Sequence, residues 1–221
     1  MDWNQLPQRS PLLSETLEGQ IVTLLGRITT PITLICVVDE GPKSQEQAVL
    51  LNHIVSMSPQ LTLRLLRPGE DPAADEILDA SMLPATGFVA GETWCRMVFH
   101  GVPGGQELTS FMGALLAAAG EAKELDKPTL KEIGKIRTPA HLQICVSLAC
   151  SHCAKLVMNA QRIAAENPKV TAHMIDANLY PDLVERYQIQ RVPLLLVDGV
   201  PAGRGGMTMA ELCNLLRKRK P

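Results

Sequence analysis

The 221-residue sequence predicts an α/β fold built twice, as two tandem copies of the order strand–helix–strand–helix–strand–strand–helix. Each copy would form a mixed sheet flanked by helices. Two observations carry this. Short apolar runs alternate with amphipathic stretches, and each half closes on a hairpin signal. The halves also keep register: the first strands begin near Ile32 and His141, and Pro84 and Pro193 are likewise 109 residues apart, as an internal duplication requires.

The elements follow in order. Ser10-Pro11 reads as an N-cap and first helical position, opening a helix to about Arg27. Ile32–Val38 (ITLICVV) is an apolar run suited to a buried strand. Ser44–Met57 places Val49, Leu50, Ile54 and Met57 on one helical face, and Leu61–Leu66 is a strand. A short helix near Ala73–Leu78 precedes Pro84; Gly87–Ala90 and Cys95–Phe99 form a hairpin around Gly91-Glu92-Thr93. Gln106–Ala119 is an apolar helix. Gly120–Pro128 is polar and serves as the linker, dividing the chain into domains at 1–120 and 121–221. Thr129-Leu-Lys-Glu132 reads as a capping box. Then come the strand Leu142–Leu148, the helix Cys150–Ala165, the strand Val170–Asp176, the helix Pro181–Tyr187 and the strand Leu194–Val197. Asp198-Gly199 is a hairpin turn into Val200–Gly203, and Thr208-Met-Ala-Glu211 is a capping box for a last helix to about Leu216.

Bulk properties exclude several function classes. The formal net charge is −2 without a long charged run, which disfavours nucleic-acid and anionic-membrane partners. Arg217–Lys220 suits the last turn of a helix, where cations meet the negative end of the dipole. The start lacks a basic segment followed by an apolar one, and no run of 18 apolar residues occurs, so neither a secretory signal nor a membrane span is expected. Six cysteines, unevenly spread, do not make a disulfide-stapled scaffold; the expected setting is cytoplasmic, with close cysteines catalytic or metal-binding.

The chemistry is expected at Cys150-Ser151-His152-Cys153. The motif follows a buried strand and opens an amphipathic helix, with Val192-Pro193 about 40 residues on, before the next strand. That context is what a thioredoxin-like redox site requires. Free N–H groups and the helix dipole favour a thiolate at the first position, and thiolate is the attacking species. Cys150 is therefore the expected nucleophile and Cys153 the shielded resolving thiol. His152 either stabilises the thiolate as a cation or simply faces solvent; the sequence leaves both open. Pro193 is either a cis residue holding the Val192 backbone beside the cysteines, where an extended substrate segment pairs, or an ordinary trans-Pro at a strand start. Gly41 and Ser44 stand where the first copy would carry the pair, so that copy is redox-dead. Cys36, Cys95 and Cys213 read as small buried hydrophobes. Cys145-x4-Cys150-x2-Cys153 has the spacing of three iron–sulfur ligands, but Cys145 falls within a strand and a fourth nearby Cys is missing, so no metal is expected.

Three segments together resemble the N-terminal domain of the flavoprotein subunit of bacterial alkyl hydroperoxide reductase: Val98–Phe111 (VFHGVPGGQELTSF), Ser147–Cys153 (SLACSHC), and Arg191-Val-Pro-Leu with Gly205-Gly-Met-Thr208. The resemblance spans roughly residues 10–217. It implies two fused thioredoxin-like (glutaredoxin-like) folds with one active pair in the second, and a cis Pro193. It implies that Cys150 and Cys153 take electrons from a thioredoxin-reductase-like flavoprotein and pass them to a peroxiredoxin disulfide. It also implies a nearby acidic residue of the first fold. Glu107 matches that motif and would shuttle protons, although a first-turn Glu also stabilises its own helix. Members of the family continue into FAD- and NADH-binding domains, and no G-x-G-x-x-G follows a strand here, so no bound cofactor is expected and the donor is a separate flavoprotein. The family usually has His-Asn between its cysteines; Ser-His here leaves the direction of electron flow open. The alternatives are a general protein disulfide oxidoreductase and a non-catalytic redox-sensing or docking module.

Overall fold

A computed structural model describes residue 3 and residues 5–219. The first half runs α1 (Glu15–Leu25), β1 (Ile32–Val37), α2 (Pro42–Ser56), β2 (Leu61–Leu66), α3 (Pro72–Leu78), β3 (Ala85–Ala90), β4 (Thr93–His100) and α4 (Glu107–Ala118). The second runs α5 (Lys127–Gly134), β5 (Ala140–Val146), α6 (Cys153–Glu166), β6 (Val170–Asp176), α7 (Pro181–Tyr187), β7 (Leu194–Val197), β8 (Val200–Arg204) and α8 (Met209–Arg217). A 3-10 turn, Ala177–Leu179, joins β6 to α7. The two halves are thioredoxin-like, and the expected α/β class is what the chain adopts.

The strands form one eight-stranded sheet, ordered β2-β1-β3-β4-β6-β5-β7-β8. Two sheets are expected from the sequence; the structure joins them, because β4 and β6 pair in parallel from Met97↔Ala172 to His100↔Ile175. Pairing satisfies two apolar strand edges that would otherwise stay open. One face of the sheet carries the main core under α1, α2, α4, α6 and α8, including all three phenylalanines, with ring centroids 5.1–6.0 Å apart. The other face carries two smaller clusters, one under α3 and one under α7. Between them, across the seam, lie His100, His173 and His141. His100 Nδ1 donates to the Met82 carbonyl (2.8 Å), so its Nε2 accepts from His173 Nδ1 (2.9 Å). The His141 and His173 ring centroids lie 4.3 Å apart, the rings tilted by 50°.

Several expected boundaries move, each for a local reason. Helix α1 is capped by Ser14, which accepts from Leu17 N–H; Ser10 is buried in the preceding turn, donating its N–H to His53 Nδ1. Helix α5 is capped by Asp126, not Thr129: Asp126 Oδ1 accepts from Thr129 N–H at 2.7 Å and Pro128 sits in the first turn, its natural place. The capping box at Thr208–Glu211 forms as expected. Arg217 lies in the last turn of α8; Lys220, the end of the cationic run, falls outside the described residues, as do residues 1, 2, 4 and 221.

Candidate active site

Strand β5 delivers the motif. A tight turn follows it, in which Cys150 N–H donates to Ser147 O (2.8 Å) and Cys153 N–H to Cys150 O (3.2 Å). The helix begins at Cys153, three residues later than the expected Cys150, because residues 150–153 close the tighter turn of that Cys153 N–H to Cys150 O bond. Cys150 thus stands one turn ahead of α6, with the exposed Ser151 and His152 beside it. Cys150 and Cys153 form a disulfide with Cα atoms 5.4 Å apart. Their surroundings differ: Cys150 is partly exposed and Cys153 is fully buried in the main core. Cys145 points to the opposite face of the sheet, among Ala177, Leu194 and Leu196, and so does not join them. Burial pushes its thiol up to about 12. Cys36, Cys95 and Cys213 are buried too, and burial raises each of their pKa values.

The Val192–Pro193 peptide is cis. Val192 is partly buried, and its backbone N–H and C=O have no protein partner among the described residues. Pro193 O, by contrast, is taken by Gly205 N–H at 2.9 Å. The first half repeats this corner with a cis Leu83–Pro84 peptide and a Gly101 N–H to Pro84 O bond, also 2.9 Å. There the edge is closed, because Tyr180 Oη donates to Leu83 O (3.0 Å). Where the pair would lie, Ser44 instead donates to Asp39 Oδ1 at 2.6 Å. One half therefore offers an open backbone edge and a disulfide; the other offers neither.

Glu107 enters from the first half. The Gly104–Gln106 turn is clamped to the Cys loop by Gln106 N–H donating to Leu148 O at 3.0 Å. Gly105 has φ +55°, and a Cβ there would meet Leu148 O at 2.6 Å, so only glycine allows the approach. Helix α4 starts at the next turn with Glu107, which is fully buried. Ser110 Oγ donates to its Oε2 (2.5 Å), while Oε1 has no partner among the described residues. Burial raises its pKa to about 7; the Ser110 bond opposes the rise and the charge of Asp176 adds to it. His152 is exposed, with no side-chain hydrogen bond among the described residues. The support given by Ser110 and the Tyr180 plug were not anticipated. Ser110 lies three residues after Glu107, a spacing that places two side chains on one helical face and was the available signal. The plug depends on long-range pairing and left no sequence trace.

The fold and this disulfide define a thioredoxin-like protein with a thiol–disulfide redox role. Residues 140–217 match the family model described as a thioredoxin domain. Over nearly its whole length the chain is similar to the F subunit of alkyl hydroperoxide reductase. It is 29% identical to the F subunit of Pseudomonas putida over 201 residues, covering 91% of this chain and 36% of that protein. The F subunit of Escherichia coli is 26% identical, with 91% and 37% covered. The chain thus spans little more than a third of these curated relatives. Among solved structures, the NTD_N/C domain of alkylhydroperoxide reductase AhpF from Enterococcus faecalis superposes with TM-score 0.87 at 29% identity, covering 92% of this chain and 99% of that one. A protein disulfide oxidoreductase from Aeropyrum pernix shares the fold, with TM-score 0.82 at 16% identity and 92% of each chain covered. Among the described residues no helix is long and apolar enough to cross a membrane.

Proposed function

We propose that the chain is a protein disulfide reductase that takes electrons from a thioredoxin-reductase-like flavoprotein and passes them to a peroxiredoxin disulfide. The observation that supports it most is the asymmetry of the pair, a partly exposed Cys150 and a buried Cys153, in the half that also carries the open Val192 edge. In the reduced chain, the Cys150 thiolate attacks one sulfur of the partner disulfide and releases the other as a thiolate. The Cys153 thiolate then attacks the Cys150 sulfur, closes the internal disulfide and releases the second partner thiolate. Two electrons pass to the partner; the two protons lost at Cys150 and Cys153 end on its thiols, and Glu107 carries one of them in this scheme. A dithiol of the flavoprotein restores the pair by the reverse exchange. The chain itself holds no cofactor in this scheme and works in a reducing, cytoplasm-like setting.

A Cys153→Ser variant tests this. It removes the resolving thiol and is expected to trap a peroxiredoxin covalently through Cys150, visible as a reducible adduct under non-reducing electrophoresis. No adduct, or trapping by Cys150→Ser through Cys153 instead, contradicts the proposal.

A further inference from the structure

The charge around the disulfide points to the chemistry of its partner. Four loops carry the second half's pair, its open edge and their bonded neighbours: 101–106 and 147–152, joined by the Gln106–Leu148 bond, and 188–193 and 203–208, joined by the Pro193–Gly205 bond. None of the four contains an Asp or Glu. They carry Arg191, Arg204 and His152, and Lys155 follows in the first turn of α6; all four are exposed. Among the described residues none of these side chains joins a salt bridge. This contrasts with the corresponding end of the first half, where Arg67 is paired with Glu40. The placement is specific to the open edge. Arg191 lies two residues before the cis proline, and Arg204 is the register partner of Leu194, the residue after it. Two exposed arginines, in no ion pair among the described residues, therefore stand next in sequence and in register to the backbone that has no hydrogen-bond partner.

We propose that the segment docking on Val192 is acidic, with carboxylates on the residues that flank its disulfide cysteine. This rests on the exchange role proposed for Cys150 and Cys153 and names the substrate class it prefers. An extended segment pairing with the Val192 backbone projects its flanking side chains along the edge where Arg191 and Arg204 stand. Unpaired cations there attract carboxylates, steer the encounter and reject cationic segments. Exchange then proceeds as above, one partner disulfide becoming two thiols as the Cys150–Cys153 disulfide closes.

Two synthetic peptides test this, each with one intrachain disulfide, identical except for Glu or Lys on both sides of the attacked cysteine. The reduced full chain is mixed with each, and released thiols are followed with time. The Glu peptide is expected to react about tenfold faster at low salt, the gap narrowing at high salt as the charges are screened. The double variant Arg191→Glu, Arg204→Glu is expected to reverse the preference. Equal rates for the two peptides, or an unchanged preference in the double variant, overturns the acidic-segment proposal alone. No reaction with either peptide overturns the exchange role and takes this proposal with it.

Discussion

Glu107 shows how a single residue acquires chemistry from its setting. Exposed at a helix start, a glutamate is an ordinary dipole partner. Buried beneath the Cys loop with one oxygen unpaired, its carboxyl is pushed up to about 7, so it gains and loses a proton near neutral pH. A group in that range suits proton transfer to a departing thiolate. The disulfide-reduction rate is expected to show an inflection near pH 7. Glu107→Gln should change that profile, leaving the ionisation of Cys150 alone to shape it, and slow exchange about tenfold or more. An unchanged pH profile in that variant would leave Glu107 a packing residue. The motif itself was legible, since Cys-x-x-Cys between strand and helix has few competing meanings. The burial of Glu107 was not, because it depends on contact between residues more than 40 positions apart.

At the scale of elements, the sequence is legible where signals are local. Strands β2 and β7 and helix α7 begin and end where periodicity, proline and turn residues place them. Starts where two candidate caps compete are not legible in this way. Ser10 and Ser14 both offer a hydroxyl; that of Ser10 accepts from Leu12 N–H in a turn held by the Ser10 N–H to His53 Nδ1 bond, which leaves Ser14 to cap α1. The Gly104–Gln106 turn matters most to function, because it couples α4 to the Cys loop. Gly105→Ala forces a left-handed alanine against the Leu148 carbonyl and is expected to cost about 1–3 kcal/mol. A lower urea midpoint together with slower exchange would confirm that the turn holds the site; a neutral effect on both would show that the loop adjusts freely.

The whole molecule turns on its seam. His100, His173 and His141 lie where the two halves share one sheet, and burial lowers all three pKa values, that of His100 to about 4. Unfolded histidines titrate near 6.5. The stability they contribute is therefore present above about pH 6.5 and lost as pH falls toward 4. For His100 alone that loss is on the order of 3 kcal/mol. Glu107 acts in the opposite sense: its folded pKa is raised, so its contribution is present below about 4.5 and lost as pH rises through 7. Three histidines outweigh one carboxyl, and the urea midpoint is expected to fall between pH 7.5 and pH 5. A midpoint that rises on acidification would mean the histidines are not held neutral in the folded chain.

The proposed chemistry requires the sulfur of residue 150 to be accessible and ionised near neutrality. Alkylation of the reduced chain as a function of pH, with the labelled cysteine identified by peptide mapping, tests it most directly. The expected result is fast labelling of Cys150 with a midpoint below about 7.5, while Cys153 stays unlabelled. A midpoint near 8.5, as for a free thiol, or labelling that favours Cys153, would contradict it.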